Sequence, residues 1–411
     1  MEMPLKKLGD VCHFVRGPFG GSLKKSCFKP NGNAIYEQQH AIYNQFTKIR
    51  YFVDDEKFEE MKRFELKSGD LIMSCSGTMG KVAIVPDGIK KGIINQALLK
   101  LTPSKDLDVK YLRYWMSSND FQESLVKYTV GAAIKNVASV KILKQIEAPL
   151  PQLKEQKQIV ALLDKAFTAI DQAKANIEKN IVNAKELFQS KLNAIFSQKG
   201  EGWEEKKLKE ITTKIGSGAT PRGGQSSYKE SGISLIRSMN VHDDGFRDKK
   251  LAFIDDEQAN KLSNVTIEEN DVLLNITGAS VARCCIVDKH FLPARVNQHV
   301  SIIRLKEGIM SNKFLHFALT SKETKSLLLG IGEQGATRQA ITKVQIENFK
   351  IAFPSIIEAQ DELLKSLGIL QKKTIQIESN YIKKLEDLEE LKKSILQKAF
   401  SGELTQKEVV V

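Results

Sequence analysis

The 411-residue chain has little cysteine. Cys12, Cys27, Cys75, Cys284 and Cys285 are odd in number and contain no C-x-x-C pair. That argues against a disulfide framework or a zinc site and fits a reducing cytoplasm. No run of eighteen apolar residues occurs, so no helix is expected to span a membrane. The start, MEMPLKKLGD, lacks the apolar stretch of a signal peptide. The six histidines show no metal-ligand spacing. Catalytic motifs are missing too. Gly77-Thr78-Met79-Gly80-Lys81 has two residues between its glycines where a phosphate loop has four, and Val82 stands where Ser or Thr must reach magnesium. It reads as a tight turn between strands. Glu323-Thr324-Lys325 has the E-x-K form of a nuclease without an upstream Pro-Asp at a suitable distance, and reads as a solvated helix face. No Gly-x-Gly-x-x-Gly follows a strand. The chain is expected to hold no catalytic or metal site.

Proline and glycine are also absent from residues 152–198. Ile159, Leu163, Ala166, Ile170, Ala173 and Ile177 alternate steps of four and three, the seam of a coiled coil. After a slip near Asn180, Ala184, Leu187, Phe188, Leu192 and Ile195 continue the stripe. Such a helix would be roughly 70 Å long and needs a partner. Residues 355–401 repeat the pattern with Leu363, Leu367, Leu370, Thr374, Ile377, Tyr381, Leu388, Leu391 and Ile395, and Phe196-Ser197 recurs as Phe400-Ser401. The two helices are expected to pair antiparallel. Gly368, costing about 1 kcal/mol against Ala, predicts a kink or fraying in the second.

The rest of the chain is one plan written twice. Leu5-Lys6-Lys7-Leu8 returns as Glu205-Lys206-Lys207-Leu208, and Lys67-Ser68-Gly69-Asp70-Leu71 as Glu268-Glu269-Asn270-Asp271-Val272. Gly17-Pro18-Phe19-Gly20-Gly21 is echoed by Gly216-Ser217-Gly218-Ala219-Thr220. Ser76-Gly77 returns as Thr277-Gly278, and Asn95-Gln96 as Asn297-Gln298. Short apolar runs bounded by glycine predict strands at 34–37, 71–74, 82–85 and 97–101, and again at 233–236, 272–275, 284–287 and 300–305. Helices are predicted over 111–128 and 314–329, and a last short strand before each long helix. The fold class is α+β: similar globular domains at 1–150 and 203–353, with coiled-coil helices at 151–202 and 354–411.

Net charge is +12. Residues 1–150 carry an excess of seven cations and residues 203–350 an excess of four, leaving one for everything else. The basic excess thus sits in the globular parts and suits a polyanion. Arg16, Lys24 and Lys25 flank the first glycine-rich loop, Lys214 and Arg222 the second. Gln38-Gln39-His40 follows one predicted strand, and Arg237-Ser238-Met239-Asn240 its counterpart. Gln and Asn can bind adenine bidentately, and Arg guanine. Thr78, Lys81 and Arg283 lie in the paired turns. Lys135 and Arg338 lie in paired loops before the last strands and could contact phosphate. Met239 apart, these sixteen residues are candidate DNA contacts. The alternative for any one is a polar loop with no task.

Lys7-Leu8-Gly9-Asp10-Val11, Gly69-Asp70-Leu71-Ile72, Ser76-Gly77-Thr78-Met79-Gly80-Lys81-Val82-Ala83 and Pro149-Leu150-Pro151-Gln152-Leu153-Lys154-Glu155-Gln156, repeated in order and ending near Leu391–Leu404, resemble the DNA-specificity subunit of Type I restriction–modification enzymes. The second copy departs at Pro354-Ser355-Ile356-Ile357. The resemblance implies two target-recognition domains reading the halves of a bipartite duplex site, joined by antiparallel helices acting as a ruler. It implies docking of two modification subunits that use S-adenosylmethionine for adenine methylation. Restriction subunits using ATP and Mg2+ would add translocation and cleavage. A non-catalytic cytoplasmic chain is expected, with no membrane partner. The competing reading is a coiled-coil scaffold whose basic domains bind protein.

Overall fold

The computed structural model describes residues 3–19, 21–127, 139–333 and 339–404. The chain forms two compact units, one from Met1–Ile177 with Ile382–Val411 and the other from Glu178–Tyr381. Each therefore joins one globular part to a stretch of both long helices, α1 (Leu153–Ser197) and α2 (Ile357–Phe400).

In the first unit, Cys12–Arg16, Leu98–Pro103, Leu71–Ser74 and Val82–Ile84 form a four-stranded antiparallel sheet in that spatial order. A three-stranded sheet has Asn33–Tyr36 at its centre, antiparallel to Phe52–Val53 and parallel to Gly92–Ile94. Leu5–Lys7 pairs with Glu147–Pro149 and closes the unit just ahead of α1. The second unit repeats this plan. Thr212–Ser217, Val300–Leu305, Val272–Asn275 and Cys284–Ile286 form its four-stranded sheet, and Ile233–Ile236 lies between Ala252–Ile254 and Ala294–Val296. A small hairpin, Val241–His242 with Gly245–Phe246, has no counterpart among the described residues of the first unit. The repeated Gly-Asp and Asn-Asp motifs are explained locally. Gly69 and Asn270 take positive φ, and the following aspartate accepts the backbone N–H three residues back, Lys67 to Asp70 at 2.9 Å and Glu268 to Asp271 at 2.8 Å. That turn launches the central strand.

The long helices pack as predicted, antiparallel. Within the first unit Lys174 meets Glu389 and Lys392 meets Asp171 at 3.5 Å, so three residues forward on one helix are three back on the other. Within the second unit Lys185 meets Glu378 at 2.6 Å, and Asn180 Nδ2 donates to the Tyr381 hydroxyl at 3.3 Å, where the seam slips. The apolar seam deepens toward the globular parts. Ile159, Leu163, Phe167 and Ile170 share the first unit's core with Leu396, Ala399 and Phe400; Leu192 and Phe196 share the second's with Leu367. Fully burying one such side chain is worth about 1.5–3 kcal/mol.

One glutamine fixes the root of each helix. Gln156 is fully buried; its Oε1 accepts the Asp108 N–H (2.9 Å) and its Nε2 donates to the carbonyls of Asp106 and Pro151 (both 2.9 Å). Gln360 does the same with the Ser311 N–H (3.1 Å) and the carbonyls of Ile309 (3.0 Å) and Pro354 (2.9 Å).

Several expectations need correcting. Leu187 is 62% exposed, Leu391 46% and Ile377 40%, so all three lie off the seam; two helices bury a narrower stripe than the apolar pattern offers. Helix α2 runs unbroken through Gly368, where a side chain would meet only open space. The predicted helices 111–128 and 314–329 are each two helices, Val109–Met116 and Asn119–Lys127, then Asn312–Thr320 and Lys322–Glu333. A buried serine sits at each break. Ser118 Oγ donates to the Trp115 carbonyl at 2.7 Å and Ser321 Oγ to the Ala318 carbonyl at 2.8 Å, competing with the helical ladder.

Candidate nucleic-acid interface

Four segments meet at one end of the four-stranded sheet, and they do so in both units. In the first, the Gly17 N–H bonds the Leu98 carbonyl, the Asn95 N–H bonds the Tyr36 carbonyl and the Cys75 N–H bonds the Ala97 carbonyl, each at 2.9 Å. In the second, Gly218 bonds the Asn297 carbonyl (3.2 Å), Asn297 the Ile236 carbonyl (3.1 Å) and Ile276 the His299 carbonyl (3.0 Å). Glycine is required at the first contact: a Cβ on Gly17 would strike the Asn95 carbonyl, and one on Gly218 the Val296 carbonyl. Asn95 and Asn297 have a folding task, their Oδ1 accepting the Ala97 and His299 N–H at 3.0 Å.

The turn Ser76–Lys81 is the strand connection expected, not a phosphate cradle. The Ser74 N–H bonds the Lys81 carbonyl (2.9 Å), and the Asn275 N–H bonds the Arg283 carbonyl (2.8 Å). Lys81 and Arg283 are therefore structural equivalents, a cation where each turn re-enters the sheet. Lys81 and Thr78 are exposed and Arg283 half-buried. Arg16 ends its strand half-buried beside Gly17, with Lys24 and Lys25 exposed a few residues on; Arg222 is exposed in the matching loop.

The segment after the central strand of the small sheet departs from expectation. His40 and Asn240 are fully buried and cap short helical turns. The Glu37 N–H donates to His40 Nδ1 at 2.9 Å, and the Arg237 N–H donates to Asn240 Oδ1 at 3.1 Å; Asn240 Nδ2 also donates to the Arg247 carbonyl at 2.8 Å. Neither can reach a base while so engaged. Ser238 is half-buried and its carbonyl accepts from Asn275 Nδ2 at 2.9 Å. Gln38 and Gln39 are half-buried, Gln39 Nε2 donating to Glu37 at 3.3 Å. Arg237 lies over the Tyr228 ring at 5.3 Å and donates to the Lys250 carbonyl. Its equivalent, Glu37, instead takes a bidentate pair from Arg50 (3.0 and 2.9 Å), which holds the exposed Arg50 guanidinium above its usual pKa. One locus thus carries an acid–arginine pair in the first unit and an arginine in the second.

Lys214 does not join the loops. A register shift between Thr212 and Lys214 puts Lys214 opposite Arg304, four residues before Gly218, roughly 13 Å along the strand. The same bulge makes Gly218, not Gly216, the counterpart of Gly17. Lys135 and Arg338 fall outside the described residues.

The cluster also contains residues the sequence reading left out. Gln96 and Gln298 are exposed in the Asn-Gln turns. Gln298 Oε1 accepts from the Thr220 hydroxyl, and the Thr277 hydroxyl lies 2.5 Å from His299 Nδ1. Their signal was the retention of Asn-Gln in both copies. Burial pushes the Cys75 thiol beneath the loops up to about 12, so it is an inert packing group. Among the described residues no group of three His, Cys, Asp or Glu could hold a metal ion, and no helix is long and apolar enough to cross a membrane.

The family model described as the Type I restriction modification DNA specificity domain matches twice, over residues 2–182 and 200–387. The chain is 28% identical to the Type I restriction enzyme MjaVIII specificity subunit of Methanocaldococcus jannaschii, covering 97% of this chain and 92% of that protein. It is 25% identical to the EcoBI specificity subunit of Escherichia coli, covering 76% and 69%. Among solved structures, a component of a type I R-M system superposes with a TM-score of 0.75 over 98% of each chain, and an HsdS subunit from Thermoanaerobacter tengcongensis with 0.58 over 98% and 97%, both at 17% identity. The structures share the fold, and the doubled match extends over most of the sequence: the chain belongs to the Type I restriction–modification DNA specificity family.

Proposed function

We propose that each loop cluster docks on one half of a bipartite duplex target, and that α1 and α2 set the spacing between the halves. The observation carrying this reading is the same four-segment cluster built twice with unlike side chains. Glu37 stands where the second unit has Arg237, and Gln38 where it has Ser238. With both Glu37 oxygens taken by Arg50, the first cluster presents the Arg50 guanidinium at this locus, whereas the second presents Arg237 stacked on Tyr228, so the two offer differently placed donors to base edges. Lys24, Lys25, Lys81, Arg222 and Arg283 supply sequence-independent phosphate contacts. The chain contributes recognition rather than chemistry. Methylation would come from two modification subunits binding S-adenosylmethionine, and translocation and cleavage from restriction subunits using ATP and Mg2+. Joining two weak contacts on one scaffold makes the second effectively intramolecular.

Methylome sequencing of a host carrying the complex tests this. Wild type should mark a discontinuous sequence. Removing one heptad from each long helix at matched depth shortens the pair by about 10 Å. The unspecified spacer should then shrink by about three base pairs at 3.4 Å each, with both half-sequences unchanged. An altered half-sequence, or marking indifferent to sequence, would refute the reading.

A further inference from the structure

The two units are two versions of one scaffold, so their loops can be compared position by position. At the cluster, Pro18-Phe19 faces Ala219-Thr220, Gln38-Gln39 faces Ser238-Met239, and Thr78-Met79 faces Ala279-Ser280. Side chains diverge almost everywhere. The exceptions are few and most have folding tasks. Gly77 and Gly278 take positive φ, and Asn95 and Asn297 close the turns through their own Oδ1.

Gln96 and Gln298 are different. Both are exposed, and each sits between a turn-closing asparagine and the first residue whose N–H that asparagine holds. The turn is pressed against a glycine that admits no side chain, so the backbone carrying the glutamine is fixed. Gln96 bonds no described residue, and Gln298 meets only the exposed end of Thr220. Nothing in the fold of the first unit asks for glutamine there. An identical side chain, held in an identical place among loops that otherwise differ, fits an element common to both half-sites. The glutamine amide offers one acceptor and one donor side by side, matching the N6 amino group and N7 of adenine in the major groove.

Resting on the half-site reading above, we propose that Gln96 and Gln298 are equivalent specificity residues, each making a bidentate contact to an adenine at the same relative position of its own half-site. The differing loops around them then read the bases by which the halves differ.

The test uses the full chain copurified with its companion subunits and a pool of randomised duplexes. Wild type should select two half-sequences, each with an A·T pair at the corresponding place. Gln96→Ala should lose about 5- to 150-fold discrimination at that pair in one half only, and Gln298→Ala in the other. Gln298→Glu, which keeps the shape but loses the donor, should turn preference at that pair from adenine toward cytosine. Equal weakening on all sequences, or relaxation at a pair other than A·T, overturns this proposal while leaving the bipartite reading intact. If wild type selects no discontinuous sequence, the underlying reading falls and this proposal with it. Unchanged thermal melting of the variants separates loss of contact from loss of fold.

Discussion

Phe400 lies 289 positions downstream of Tyr111, its ring partner, yet completes the core of the first unit. It is buried with Leu396 and Ala399, and its ring meets Tyr111 edge-on at 5.2 Å and 71°. Phe196, its counterpart on α1, meets Phe314 in the second unit at 5.2 Å and 61°. If each helix end belongs to the unit in which it is buried, Phe400→Ala must damage the first unit and spare the second. Truncating a buried phenylalanine costs about 3–5 kcal/mol, the lost transfer energy plus the cavity left behind.

The chain's two tryptophans make this measurable. Trp115 is buried in the first unit's core beside Phe121, and Trp203 packs on Phe196 and Phe314 in the second. With Trp203→Phe, fluorescence in urea follows the first unit; with Trp115→Phe, the second. At a slope of about 2–3 kcal/mol per molar urea, Phe400→Ala should lower the Trp115 midpoint by about 1–2 M and leave the Trp203 midpoint within about 0.3 M. Phe196→Ala should do the reverse. Equal shifts of both midpoints, or a cost under about 1 kcal/mol, would refute the assignment of the helix ends to separate cores.

Gln360→Ala strands the Ser311 N–H and the Ile309 and Pro354 carbonyls, and should cost the second unit about 2–4 kcal/mol at one to three per unsatisfied group after partial relaxation, read by the same Trp203 unfolding curve. Glu389 is held below its ordinary pKa of 4.5 first by the hydrogen bond from Lys174. A depressed folded value means stability present above 4.5 and lost as pH falls through the folded value; the Glu389 end of the pair is 58% exposed and screened by solvent, so Lys174→Met should cost under about 1 kcal/mol at pH 7, a difference that vanishes in unfolding curves taken well below pH 4. Lys81→Ala and Arg283→Ala should each weaken binding to all duplex sequences alike and flatten the slope of log affinity against log salt by about 0.9; a change confined to one base position would make them base contacts instead.

Much of this was readable in advance because the signals are local. The strands 71–74, 233–236, 272–275 and 300–305 coincide with those observed, since each is an apolar run closed off by turn residues. The long helices were legible from a seam kept over forty residues. The breaks at Ser118 and Ser321 were not, because apolar spacing continues across them and only the hydroxyl's choice of a carbonyl ends the helix. The bulge at Thr212 was equally hidden: one extra residue shifts the strand after it by one place, so that Gly218 rather than Ser217 meets the Asn-Gln turn, and no composition marks it.

His40 and Asn240 carry the more general point. Difference between the copies amid agreeing flanks suggested reading residues, on the reasoning that a duplicated scaffold keeps what folds and varies what recognises. Yet the difference at this pair is absorbed by folding: an imidazole nitrogen and an amide oxygen each accept the same backbone N–H three residues earlier. Unlike side chains can therefore perform one structural task. At Gln96 and Gln298, like side chains persist where the first unit shows no structural task at all. In an internally duplicated protein, divergence or identity acquires functional meaning only after each side chain's hydrogen bonds have been assigned. Applied to the cluster, that sorting moves His40 and Asn240 out of the recognition surface and moves Gln96 and Gln298 into it.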